Sequence, residues 1–277
     1  MGRPKDFVPE LIVEKGSHIS LNESAAAQTF GWDKDSAKKR TAQNVASLED
    51  LQYHLYADNS KALLIILQGI DAAGKDGVVR NVFSAFNPQG TVVTSFKSPS
   101  GRELSHDYLW RIHAACPSTG SIAIFNRSHY EDLIVPIVQK KLTSRRIQER
   151  MQHINNFESM LIDEGTTIIK FLLHISRDEQ WERLMTRLDE PQRNWKFSMG
   201  DLAERERWPL YATAFKKIVS ATSHAHAPWY LIPANFKWFR DLAVSEITRR
   251  TLEGMPLAWP KPSIDVAAAR RALKDLK

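Results

Sequence analysis

One cysteine in 277 residues, Cys116, leaves no partner for an internal disulfide. A chain of this length buries most of its unfolded surface without such staples, and the shortage fits a reducing cytosol. Cys116 sits in "IHAACPST", where a small buried side chain near a helix end is expected. No run of about 18 apolar residues occurs, which argues against a membrane span. The stretch "MGRPKDFVPELIVEKGS" lacks an apolar core followed by a small-residue cleavage site. "MGRPKD" also lacks the Ser or Thr of a myristoylation signal. There is no internal repeat, no low-complexity run and no clear linker. The expectation is a cytoplasmic globular protein with no membrane partner.

What is present is ordinary in bulk and uneven in charge. Hydrophobic residues make up 43% and charged residues 25%, which places the chain among globular proteins. The net charge of +6 favours a polyanionic partner, such as nucleic acid, a membrane or a phosphate chain. Charge alone does not choose among these or exclude a merely basic surface.

Along the chain, residues 1–35 carry Pro4, Pro9, Gly16 and Gly31 with little periodicity and are expected to form an arm. Asp35 and Ser36 are candidate caps for a helix over 37–57, where Val45, Leu48, Leu51 and Leu55 recur at helical spacing. "ALLIILQ" (62–68) is an apolar run without alternation, as a strand buried on both faces requires. Further strands are predicted at 91–96, 121–126, 167–176 and 229–234. The helices between them include "ELSHDYLWRIHAA", two pieces over 131–164, one over 177–188, "WPLYATAFKKIVSATS" and "WFRDLAVSEITRRTLE". The residues after Pro256 read as an exposed tail. Strands alternating with helices predict an α/β fold with a parallel, doubly wound five-stranded sheet. Ligands then sit beyond the carboxyl ends of the strands.

The first such end carries "GIDAAGKDG". Gly69, four residues, Gly74 and Lys75 give the spacing of a phosphate-binding loop, with a buried strand before it and a helix after it. Its backbone N–H groups can point at phosphate oxygens, and Lys75 adds a mobile charge. The residue after Lys75 is Asp76, where a nucleotide-triphosphate enzyme usually has a magnesium-binding hydroxyl. Asp71 is the alternative metal ligand, since carboxylates suit magnesium. For Asp76, helix capping or dipole pairing competes with catalysis.

"IFNRSHYED" follows the third predicted strand. Arg127 there can clamp a phosphate in a fork, and Glu131 can supply the charge that Asn126 lacks. Asp132 is equally well read as a carboxylate at a helix start. In "SFKSPSGRELSHDYLWRIH", Asp107 and Arg111 stand four apart on one helix face. They form either a surface ion pair or part of an acceptor pocket. Residues 182–208 hold Arg183, Arg187, Arg193, Lys196, Arg205 and Arg207, and resemble a mobile lid that brings cations over phosphates.

Together with "RLDEPQRNWKFS" and "WYLIPANFKWFRDL", these motifs resemble the second polyphosphate kinase family over about Gly31 to Pro260. The resemblance implies a three-layer, thymidylate-kinase-like P-loop fold with a helical lid, spanning 36–260 between the arm and a tail at 261–277. It implies transfer of a terminal phosphate between inorganic polyphosphate and a nucleotide, with magnesium or, alternatively, manganese. Asn126 and Glu131 resemble the class that accepts both AMP and ADP. By the same resemblance Asp71 and Glu131 serve the metal, and Asp71, Lys75, Arg127, Glu131 and Arg187 the chemistry. Gly69, Ala72, Ala73, Gly74, Lys75, Asp76, Gly77, Arg80, Lys97, Asp107, Arg111, Asn126, Arg183 and Lys196 would contact phosphates or nucleotide. Adenine or guanine nucleotides and a homodimer or homotetramer are implied, without nucleic acid.

Direct in-line transfer is expected, since an AMP or ADP oxygen is already ionised near neutral pH. No catalytic histidine is then needed, and His106, His113 and His129 read as structural. Two alternatives stay open: an ATP-dependent nucleoside or nucleotide kinase, and a polyanion-binding module without turnover.

Overall fold

The computed structural model describes residues 6–276. The start of the expected arm at 1–5, with Pro4, and the tail residue Lys277 lie outside the described residues. The strands are β1 (Ile12–Val13), β2 (Ala62–Gln68), β3 (Thr91–Ser95), β4 (Ile122–Asn126), β5 (Thr166–His174) and β6 (Trp229–Pro233). They form one sheet in the order β1-β6-β5-β2-β4-β3. β2 to β6 are parallel, with Leu67 opposite both Asn126 and Phe171.

The sheet has six strands, not the expected five. β1 adds antiparallel to the edge of β6, with Ile12 opposite Tyr230. Two residues are too short to show a period of two in the sequence. Ser223 Oγ donates to the Val13 carbonyl at 2.5 Å, which pins the added strand in place. The strand also covers backbone groups of β6 that an open edge would expose.

Every residue of β2 is buried, because helices cover both faces of the sheet. Leu63, Ile65 and Leu67 pack with Leu48, Leu55, Val78, Val82, Leu242 and Ile247. These come from the helices Lys34–Asp58, Lys75–Val82 and Lys237–Gly254. Leu64 and Ile66 pack with Leu133, Ile154, Phe157 and Phe215 on the opposite face, from the helices Glu131–Val138, Ser144–Asp163 and Trp208–Thr222. Each fully buried Leu or Ile contributes about 1.5–3 kcal/mol, so the central strand is the most firmly held backbone next to the loop it feeds.

Three local expectations change. The cap of the first long helix is Asp33, whose Oδ1 accepts from the N–H groups of Asp35 and Ser36 at 2.9 Å each. The helix expected over "ELSHDYLWRIHAA" is two short ones, Gly101–Leu104 and Trp110–His113. Asp107 Oδ1 accepts from Leu109 N at 2.9 Å, a side-chain turn that competes with helix continuation. The exposed tail contains a helix, Val266–Asp275, started by an Asp265 cap. Cys116 is half-buried, with Sγ donating to the Ile112 carbonyl at 3.3 Å; burial pushes its thiol up to about 11. No helix among the described residues is long and apolar enough to cross a membrane.

Candidate active site

β2 and the neighbouring strands end at one edge of the sheet, and the loop after β2 opens there. Gly69 has φ +154°, and a Cβ on it would stand 2.6 Å from the Leu173 carbonyl oxygen. Gly74 has φ +104°, and a Cβ there would stand 2.1 Å from Arg240 Nη1. Both positions therefore require glycine. Ala72 adopts φ +64° without being glycine, a conformation that costs roughly 1–2 kcal/mol. Arg183 holds that strained turn from behind. Its Nη1 donates to the Ala72 and Ala73 carbonyls at 2.9 and 3.0 Å. Its Nη2 reaches the Ala234 and Asn235 carbonyls at 2.6 and 3.0 Å, and its Nε reaches Glu179 at 2.6 Å. Arg183 was expected to contact ligand phosphate; all five of its N–H donors are engaged with protein, so its observed work is to brace the loop.

Lys75 starts the helix after the loop and is buried. Its Nζ folds back to donate to the Gly69 carbonyl at 2.6 Å and the Ile70 carbonyl at 3.3 Å. Burial and the nearby Arg127 charge push its ammonium down from the ordinary lysine value. The opposite wall is the turn after β4. Arg127, at φ +65°, pairs through Nη2 with Asp71 Oδ1 at 2.5 Å. Asn126 Nδ2 donates to Asp76 Oδ1 at 2.7 Å, and Lys196 Nζ lies 3.7 Å from Asp76 Oδ2. Asp76 thus joins the loop to the β4 turn.

Burial pushes the Glu131 carboxyl up against the opposing charges of Arg127 and Lys75. Gln68, the last residue of β2, fits with its amide nitrogen 2.9 Å from Glu131 Oε1. Its oxygen then accepts from Ser128 N and Oγ at 3.2 and 3.0 Å. Beneath the same turn, Glu158 is fully buried and gathers Lys170 Nζ at 2.5 Å, Tyr130 OH at 2.8 Å and His129 Nε2 at 3.2 Å. Burial alone would raise the Glu158 carboxyl; Lys170 and His129 outweigh it and hold it at about 2.

A further carboxylate arrives from the helix Met199–Glu206. Glu204 hydrogen-bonds to Asp71, and burial with the Asp71 contact raises it to about 8. No set of three or more His, Cys, Asp or Glu side chains converges on a metal position among the described residues. Magnesium needs no such set, since it keeps waters and takes one or two carboxylates plus substrate phosphates. Two carboxyl groups pressed together beside a phosphate loop, Asp71 and Glu204, are a donor set that a divalent cation would relieve.

Asp71, Lys75, Asp76, Asn126, Arg127, Arg183 and Lys196 border an open cleft of about 1060 Å³, whereas Gln68, Glu131, Glu158 and Glu204 stand behind its lining. Its lining carries ten cations, among them Lys75, Arg80, Lys97, Arg127, Arg187 and Lys196, against three carboxylates, Asp71, Asp76 and Asp201. Arg187 Nη1 lies 3.3 Å from both the Lys196 carbonyl and Asp201 Oδ2. Arg111 is not paired with Asp107. Its partners are Asp132 at 3.0 Å, the Lys97 carbonyl at 2.8 Å and, at 4.0 Å, Glu103. Asp107 is exposed and does not line the cleft. The sequence reading missed Gln68, Glu204 and Arg240. Only Gln68 left a signal, as the one polar residue closing an apolar strand.

A model of the family described as "Polyphosphate kinase 2 (PPK2)" matches residues 31–258. The AMP/ADP-polyphosphate phosphotransferase of Meiothermus ruber is 48% identical over 233 residues, 84% of this chain and 87% of that one. The ADP-polyphosphate phosphotransferase of Rhodopseudomonas palustris is 45% identical over 262 residues, 90% of this chain and 91% of that one. The crystal structure of polyphosphate kinase 2 from Arthrobacter aurescens TC1 superposes with a TM-score of 0.94 at 40% identity, covering 99% of each chain. With the loop, the cationic cleft and the family model in agreement, the chain belongs to the polyphosphate kinase 2 family.

Proposed function

We propose that this protein transfers the terminal phosphate of inorganic polyphosphate to AMP and ADP, giving ADP and ATP, reversibly and by direct in-line displacement. The observation that carries the reading is the cleft itself, cationic along its walls and opening on a loop whose Lys75 faces Gly69. A polymer of phosphoryl groups can be gripped by such a surface without any pocket for base or ribose. The relatives' names support both acceptors.

In this reading the backbone of Gly69–Gly77 and Lys75 hold the donor end of the chain. Arg127 clamps the acceptor phosphate in a fork, and Glu131, kept in place by Gln68, orients it. One phosphorus–oxygen bond to the shortened chain breaks as another forms to the acceptor oxygen. That oxygen is already ionised, so no strong base is required. Lys75, Arg127 and Arg187 neutralise the charge spread over the moving group. Magnesium, held by Asp71 with Glu131 or Glu204, would add a further positive charge against the phosphates. Residues 182–208 act as the lid that closes the cleft and excludes water. On the family resemblance we extend the reading to guanine nucleotides, to a homodimer or homotetramer, and to the cytoplasm.

The test is to mix purified protein with magnesium, polyphosphate and AMP, and separately ADP, with no other nucleotide. ADP should form in the first mixture and ATP in the second. Product that appears only when ATP is the donor would assign the chain to ordinary nucleotide kinases instead.

A further inference from the structure

The cleft does not end at its phosphate loop. A groove of about 840 Å³ adjoins it and shares Asn81 and Lys237 with it. Its walls are the first turns of two long helices, Lys34–Asp58 and Lys237–Gly254. Lys34 and Lys38 line one wall and Lys237 the other; all three are exposed, and none forms an ion pair among the described residues. The groove's one carboxylate, Asp241, is already satisfied. Its Oδ1 accepts from Arg240 Nε and Nη2 at 2.8 and 2.6 Å, and its Oδ2 from Asn81 Nδ2 at 2.9 Å. No carboxylate lining the groove is therefore left to pair with its three lysines.

Three further features fit an anion. The helix Lys237–Gly254 begins with no side-chain cap, which leaves backbone N–H groups at the boundary between groove and cleft. Arg240, 2% exposed, lines the cleft beside that boundary. With Nε and Nη2 on Asp241, its Nη1 donates to no acceptor among the described residues. Phe236 and Trp238, stacked at 5.5 Å between centroids, form the apolar part of the wall. Such a wall lowers the local dielectric and strengthens attraction between lysine and phosphate.

We propose that this groove is a second binding site of the chain, one that takes distal phosphoryl units of a polyphosphate whose end sits at Lys75. The inference rests on the proposed donor. It adds that recognition extends past the reacting units, along lysines spaced on two helices. A nucleotide bound at the loop has no charge to place there, whereas a long polyanion does. Affinity should then grow with chain length and fall with salt.

The test is the double variant Lys34→Glu/Lys38→Glu, assayed with a long polyphosphate of about 100 units and a short one of about four units, and titrated with the long chain by calorimetry without nucleotide. The long-chain KM should rise roughly tenfold and its calorimetric affinity fall alike, while the short-chain KM shifts less than about twofold. Equal shifts for both chains, or none, would overturn the groove assignment. So would a single-stranded oligonucleotide that binds the wild type as tightly as polyphosphate and is lost in the variant. If neither chain supports turnover in the wild type, the donor reading fails. Calorimetry then still decides whether the groove holds the polymer. Lys38→Ala, with a smaller shift in the same direction, guards against misfolding of the double variant.

Discussion

Arg127 and Asp71 meet across the cleft, guanidinium Nη2 to carboxylate Oδ1 at 2.5 Å. Asp71 is also hydrogen-bonded to Glu204. Both roles proposed for them require the pair to part, Arg127 toward a phosphate and Asp71 toward a metal. Asp71→Asn should keep the fold, lower turnover by at least ~100-fold and raise the magnesium concentration needed for half activity. Arg127→Ala should lower kcat/KM by about 1000-fold. Steady-state rates across a magnesium titration check both, and chelation of the metal should abolish wild-type turnover.

Arg183 shows why one arginine among many matters. Its fork spans carbonyls of the loop and of residues 234–235. A lysine has three donors on a point charge and cannot reproduce that geometry. Arg183→Lys should cost about 2–4 kcal/mol in urea unfolding, since several buried carbonyls lose their partner. The KM for polyphosphate should rise as the Ala72 turn relaxes.

Glu158 and Lys170 form a buried pair beneath the turn that carries Arg127 and Glu131. Removing one partner leaves a bare buried charge. Glu158→Ala should therefore destabilise by about 3–5 kcal/mol, and the double variant Glu158→Leu/Lys170→Met by much less. Equilibrium unfolding of the two proteins makes the comparison. Activity should fall in both, because Tyr130 and His129 lose the carboxylate that fixes them.

Glu246 gives the acid limb of stability. It accepts from Arg40 Nε at 3.0 Å, Arg249 Nη2 at 2.8 Å and Arg250 Nε at 2.9 Å. Burial raises its carboxyl, but those hydrogen bonds win and hold it at about 2, below the ordinary 4.5. The folded state thus binds the proton less readily than the unfolded chain. The contribution is complete above pH 4.5 and is lost as pH falls toward about 2. Glu246→Gln should be less stable at neutral pH by on the order of 2 kcal/mol. The gap from wild type should narrow steadily through the acid range when thermal unfolding is followed against pH.

The sequence made the centre of the fold legible and its margins opaque. β2 was readable because burial on both faces leaves an unbroken apolar run, and the loop after it because glycine spacing reports backbone geometry. β1 was not, since a two-residue strand has no period. The split near Asp107 was not, since one side-chain turn decided it. Lys75, Arg127 and Asp71 could be named from motifs, and the structure brings them together. Glu204 could not, because it reaches Asp71 from a helix more than a hundred residues away. Arg183 was found for its charge, but its bracing of the loop depends on carbonyls that no sequence displays.

The most direct test concerns Lys75, the residue on which the donor site turns. ATP formation from ADP, polyphosphate and magnesium should be compared in wild type and Lys75→Ala, with folding verified by circular dichroism. The account predicts a fall of at least ~1000-fold with the fold retained. A folded Lys75→Ala protein that makes ATP at a rate within about twofold of wild type would contradict it.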